Sequence, residues 1–85
     1  MTPQGSRAAR SWLNWSQTEL ARRARVSLST VRDYETSRRR PIANNIEAIR
    51  RAIEEAGIEF VYDRAGNPAG ILVRNARIAG RRSEP

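Results

Sequence analysis

Apolar positions recur at helical spacing through the first two thirds of the chain and then change to an alternating, β-branched pattern. In residues 6–13, SRAARSWL, the positions Ala9, Trp12 and Leu13 define one apolar face. They predict a helix with Ser6 as its N-cap and Asn14 as the left-handed residue that ends it. Ser16-Gln17-Thr18-Glu19 has the form of a capping box, with Trp15 and Leu20 placed for a hydrophobic staple, so a second helix begins at Gln17. Its inward residues are Leu20, Ala21 and Ala24, while Arg22, Arg23 and Arg25 project outward. Ser27 caps a third helix, LSTVRDYE, in which Val31 and Tyr34 face inward one turn apart.

Residues 36–43 combine a cationic run with Pro41 and read as a loop. Asn44 or Asn45 then caps a longer helix over about residues 46–56. Ile46, Ile49, Ala52 and Ile53 share its inner face, and Gly57 ends it. Beyond that glycine, IEFVY (58–62) and GILVR (70–74) flank the turn DRAGNP and predict a β-hairpin. A lone hairpin is marginal in water, so this one has to pack on the helices or pair with a second copy. The expected organisation is a flexible N-terminus (1–5), a helical domain (6–56), a hairpin used for dimerisation (57–79) and a flexible tail (80–85).

Eighty-five residues allow one small domain, which buries only about 60% of its unfolded surface. The longest apolar runs fall far short of a membrane span, and the N-terminus lacks the apolar stretch of a signal peptide. A cytoplasmic protein without membrane contact is expected. The absence of Cys and His removes disulfides, thiolate zinc sites and every His-dependent catalytic scheme. The serines have no His or Lys partner, and Glu54 and Glu55 alternate with arginines as a solvated face does. A non-enzymatic chain with no cofactor and no metal follows.

Charge supplies the positive indication. Sixteen cations against nine acids leave +7 at pH 7, which favours a polyanionic partner. Nine arginines lie in residues 1–40 against three acids, and seven lie in 41–85 against six, so the excess sits in the helical half. Every cation is Arg, which suits bidentate contacts to phosphate and guanine and is equally the mark of a GC-rich coding sequence. Trp12 and Trp15 could stack on unpaired bases, but their helix-face and staple positions assign them to the core.

Residues 15–35, WSQTELARRARVSLSTVRDYE, carry a further signal. Ser-Gln opens the first of two short helices, Glu-Leu-Ala lies in its middle, Val follows in the turn, and a Ser-capped helix ends in Tyr-Glu. This combination resembles the helix-turn-helix of the Cro/repressor (XRE-like) DNA-binding family, over about residues 7–56. The resemblance implies a mainly α fold, a repressor-like domain of four to five helices, here with a C-terminal β-hairpin. It implies base contacts from Ser27, Leu28, Ser29, Arg32 and Asp33 at the start of the second motif helix. It implies phosphate contacts from Gln17 and from Arg38, Arg39 and Arg40. Arg10 and Glu35 match family positions that form a structural ion pair. Arg25 stands where the family turn usually has glycine, and the hairpin stands where a fifth helix is common.

The function expected from these features is sequence-specific binding of double-stranded DNA by a bacterial or phage-type transcriptional regulator. It would be a repressor acting as a homodimer on a pseudo-palindromic operator, since one recognition helix reads only about 4–5 base pairs. Phe60, Tyr62, Ile71 and Val73 are the expected dimer contact. An antitoxin or anti-activator remains the alternative, with the hairpin holding a toxin or activator and the same helices serving autoregulation. Non-specific nucleic-acid binding fits the charge but makes no use of a base-reading helix.

Overall fold

The computed structural model describes residues 1–74. Four helices, α1 (Pro3–Leu13), α2 (Gln17–Ala24), α3 (Leu28–Glu35) and α4 (Ala43–Glu55), precede the strands β1 (Ile58–Tyr62) and β2 (Pro68–Val73). The fold is therefore the mainly helical domain with a hairpin that the pattern predicts. The numbers 75–79 and the tail 80–85 lie outside the described residues.

α1 starts earlier than expected. Thr2 is its N-cap, accepting from the Gly5 N–H at 2.9 Å, and Pro3 occupies the first turn, where its missing N–H costs nothing. Residues 1–5 are thus not a free N-terminus. Their attachment includes the Met1 carbonyl, which accepts from the Tyr34 hydroxyl at 3.2 Å, and the Met1 ammonium, which donates to the Tyr62 hydroxyl. Ser6, expected as the cap, is instead fully buried within the helix. The longer helix sets a stripe of Ser6, Ala9 and Leu13 against the core, and Trp12 falls off it at 57% exposed, not in the core as its spacing suggested.

α2 and α3 follow the sequence closely. Ser16 accepts from the Glu19 N–H at 2.9 Å and Ser27 from the Thr30 N–H at 3.1 Å. Only half of the capping box forms, because the Glu19 carboxylate turns to Arg22 and Arg23. α4 starts at Ala43, with Ile42 at the cap position and no side-chain cap, so Asn44 and Asn45 lie inside its first turn. Pro41 holds the preceding chain extended, and the Ile42 carbonyl then accepts from Asn45 and Ile46 N–H groups at once.

Leu20, Val31, Tyr34, Ile49, Ile53, Ile58 and Phe60 form the centre of one core. β1 and β2 pair antiparallel, with Phe60 opposite Ile71 and Ile58 opposite Val73, and a bulge between Val61 and Tyr62. β2 begins at Pro68, two residues before the expected start. The period-2 alternation directs Ile58 and Phe60 inward, and Ile71 and Val73 pack on the same core. Phe60 is buried so close to α1 that a Cβ on Gly5 would stand 3.3 Å from its Cε1. This bears on the expected dimer contact. Phe60 is spent on its own chain, with Ile71 and Val73 partly so, and of the four only Tyr62 is broadly exposed.

Candidate nucleic-acid interface

The approach of α2 to α3 is made by two residues. Arg25 takes a left-handed conformation (φ 60°) and its N–H donates to the Arg22 carbonyl, while the Val26 N–H donates to the Ala21 carbonyl at 3.0 Å. Val26 tucks onto the core and Ser27 then caps α3. For a non-Gly residue that backbone costs about 1–2 kcal/mol, offset in part by the greater freedom glycine would have when unfolded. Arg25→Gly should therefore stabilise the fold by about 0.5–1 kcal/mol. An unchanged or lowered urea midpoint would reject this reading of the turn.

α3 turns Val31, Tyr34 and Glu35 inward. Its other face carries Ser27, Ser29 and Arg32, all exposed, with Leu28 and Asp33 half-buried beside them. The five expected base-contacting residues thus run along the outer side of α3 from its cap to its second turn. Ser27 is partly committed, because its hydroxyl caps the helix and also bonds the Ser29 and Thr30 hydroxyls.

What holds α3 in place is a buried carboxylate. Glu35 is 1% exposed, and Arg10 grips it through Nε (3.1 and 3.0 Å) and Nη2 (2.8 Å). Ser6 donates to it at 2.6 Å and Gln17 Nε2 at 3.1 Å. Arg10 Nη1 also reaches the Trp15 carbonyl at 3.1 Å, and Arg7 donates to the Glu35 carbonyl. Three helices meet on this one side chain. Burial pushes the Glu35 carboxyl up, but the hydrogen bonds from Arg10, Ser6 and Gln17 outweigh it and hold the group below its ordinary value. The Arg10–Glu35 pair was expected; Ser6 and Arg7 were not. The available signal was an acid at the third position of the stripe Val31, Tyr34, Glu35, since an acid on a buried stripe requires donors from elsewhere.

Gln17 sits at the start of α2, where free amide N–H groups and the helix dipole favour an anion. Its side-chain amide has two N–H groups, of which Glu35 takes one. After α3, Ser37 adopts a left-handed φ of 58°, and the Arg38 N–H folds back onto the Asp33 carbonyl at 3.0 Å. The side chains of Arg38, Arg39 and Arg40 are exposed there, and among the described residues neither they nor Arg32 make an ion pair. Other arginines are occupied. Arg22 and Arg23 pair with Glu19 at 2.5 and 2.6 Å, Arg23 also lies 4.4 Å over the Trp15 ring, and Arg50 pairs with Glu47 and Glu54. Among the described residues Arg25 and Arg64 are likewise without an ion pair, and Arg39 and Arg40 follow α3 near Tyr34 and Pro3, so the unpaired charge on α3 itself is Arg32.

The helix-turn-helix family model of the XRE type matches residues 7–58, which span α1 to the start of β1. The chain belongs to the XRE-type helix-turn-helix family. A comparison with curated proteins finds no match. Membership makes this chain a DNA-binding regulator of the helix-turn-helix class. The helix-turn-helix proper is α2, the turn at Arg25–Val26 and α3. Among the described residues no helix is long and apolar enough to cross a membrane.

Proposed function

We propose that this helix-turn-helix protein reads a specific DNA site as a homodimer and represses transcription there, with α3 in the major groove. The observation that carries the reading is the exposed face of α3, which bears the unpaired Arg32 and is tied to α1 and α2 through Glu35. An α-helix fills the major groove, and the residues of its first turns meet the base edges. Arg32 suits guanine O6 and N7, Asp33 suits cytosine N4, and Leu28 suits a thymine methyl. The second amide hydrogen of Gln17 and the guanidiniums of Arg38, Arg39 and Arg40 supply the phosphate contacts that set register without reading sequence. One such helix covers too few base pairs for useful specificity, so a pseudo-palindromic operator and two copies are part of the proposal.

The test is selection of duplexes from a random library, followed by titration of the selected site and a scrambled duplex at about physiological salt. A preference of about 10³-fold or more supports the proposal, and equal affinity for both duplexes rejects it. In the same assay, alanine at Arg38, Arg39 or Arg40 should weaken both duplexes alike and reduce the slope of log K against log salt by about 0.9 for each phosphate no longer neutralised. A variant that alters only the selected site would assign its arginine to base reading.

One observation favours a second reading, a protein-binding module that autoregulates through the same helices. A groove of about 360 Å³ runs between α1 and the hairpin, and none of its lining side chains is charged. A toxin or activator would be the partner, and a toxin-like reading frame adjacent to the gene would shift the balance toward it.

A further inference from the structure

The groove between α1 and the hairpin has the dimensions of a small-molecule site. Its volume is about 360 Å³, and such sites measure about 300–1,000 Å³, with apolar and aromatic walls and a few polar groups that fix orientation. A protein face, by contrast, extends over about 800 Å² per partner. Gly5 and Ala8 form the α1 wall, and Phe60, Tyr62 and Gly70 are among the residues of the hairpin wall. None of the lining side chains is charged, in a chain that is 29% charged. The charge at the groove is the Met1 ammonium, which already donates to the Tyr62 hydroxyl.

The walls suit a flat ring. Gly5 has no side chain to keep the Phe60 ring away from α1, since a Cβ there would stand 3.3 Å from its Cε1. Ala8, one turn on, contributes only a methyl group and stays exposed. Gly70 brings bare backbone to the other side, with no atom within 4 Å of where a Cβ would be. A planar ring can approach surfaces of this kind closely and meet Phe60 and Tyr62 in stacked or edge-on contacts. Two polar groups stand at the rim. Gln4 presents a side-chain amide, and the Tyr62 hydroxyl, while accepting from Met1, keeps its own hydrogen to donate. A charged group entering the groove would lose water without meeting an opposite charge on any lining side chain.

We propose that this groove binds an uncharged, planar aromatic molecule of one or two rings, and that the bound molecule acts as an effector of DNA binding. The site itself is independent of the DNA reading above, and the effector role rests on it. α1 supplies the link between the two. One flank of the helix, Gly5 and Ala8, walls the groove, while Ser6, Arg7 and Arg10 on its other sides reach Glu35 and so hold α3. A ligand that fixes or shifts α1 against the hairpin therefore bears on the helix that carries Arg32, and the coupling equals the difference in its affinity for the free and DNA-bound chain.

The test titrates the isotope-labelled full chain with indole, tryptamine and indoleacetate while backbone amide shifts are followed by NMR. Indole should shift the amides of Gly5, Ala8, Phe60 and Gly70, saturate with a Kd below about 1 mM, and bind at least about tenfold more tightly than either charged derivative. Ala8→Phe fills the groove from an exposed helix position and should abolish these shifts. Ser11→Phe, exposed on α1 outside the groove, should keep them. No saturable shift with any of the three probes would overturn the site and leave the groove to the protein partner of the second reading. Unchanged indole binding by Ala8→Phe would place the ligand elsewhere and overturn it as well. Tighter binding of tryptamine or indoleacetate would overturn the assigned chemistry. A dimer mass abolished by Ala8→Phe in a chain that binds no indole would assign the groove to a second copy. Saturating indole should change affinity for the selected DNA site by about fivefold or more. Unchanged affinity with the NMR shifts intact would overturn the effector role alone, and a failure of sequence-specific binding would appear in the scrambled-duplex titration without altering the NMR result.

Discussion

Replacing Glu35 with alanine should lower the unfolding free energy by about 3–5 kcal/mol, the usual effect of stranding one member of a buried ion pair. Arg10 would keep its charge at 19% exposure with no carboxylate to meet it, and Ser6, fully buried, would be left without its acceptor. Domains have total stabilities of about 5–15 kcal/mol, so a large share of the folded margin is at stake. Urea denaturation followed by circular dichroism measures the loss. Replacing both partners, as in Arg10→Met with Glu35→Leu, should recover much of it, because no charge is then left buried. A loss under about 0.5 kcal/mol for Glu35→Ala would mean that Glu35 does not organise the three helices.

The same residue sets an acid dependence. The folded carboxyl lies below its ordinary value of 4.5, so its contribution is complete above that value and disappears as the pH falls through the folded one. The stability difference between the parent chain and Glu35→Gln should hold constant from neutral pH to about 5 and narrow below it. A difference that widened in acid would reverse the assigned direction.

Arg32→Ala should weaken binding to the selected DNA site by about 10- to 100-fold, the range for one bidentate base contact, while scrambled DNA is bound nearly as before. Arg32 is exposed, lies one turn into α3 and carries no ion pair among the described residues, so its removal should leave the fold unchanged. Fluorescence anisotropy at fixed salt reads both affinities, and a repeated selection with the variant should show relaxed preference at one base pair of each half-site. Equal losses on both duplexes would reassign Arg32 to phosphate. This result and that for Glu35 separate two ways of losing DNA binding, since one removes a base-reading group and the other loosens the helix that carries it.

Local chemistry made most of the fold legible. Asn14, Ser16 and Ser27 mark helix ends through interactions within a few residues of themselves, and each occupies the predicted role. The stripes Leu20, Ala21, Ala24 and Val31, Tyr34 needed only the 3.6-residue period. The expectations that failed were those in which a distant part of the chain competes. Ser6 resembles an N-cap until Glu35, twenty-nine residues away, claims its hydroxyl. Trp12 has the spacing of a core residue until α1 packs with Ser6, Ala9 and Leu13 against the core. Phe60 looks available to a second copy until the Gly5 face of α1 receives it.

The sequence by itself determined the element order, the helix-turn-helix at residues 17–35 and the basic character of its surroundings, because caps, periodicity and charge are local or additive. Only the tertiary structure decided which arginines are held in ion pairs and which apolar residues are spent inside. Those depend on which groups from separate helices reach the same point, and burial there makes an unmet charge or an unpaired donor too costly to leave alone.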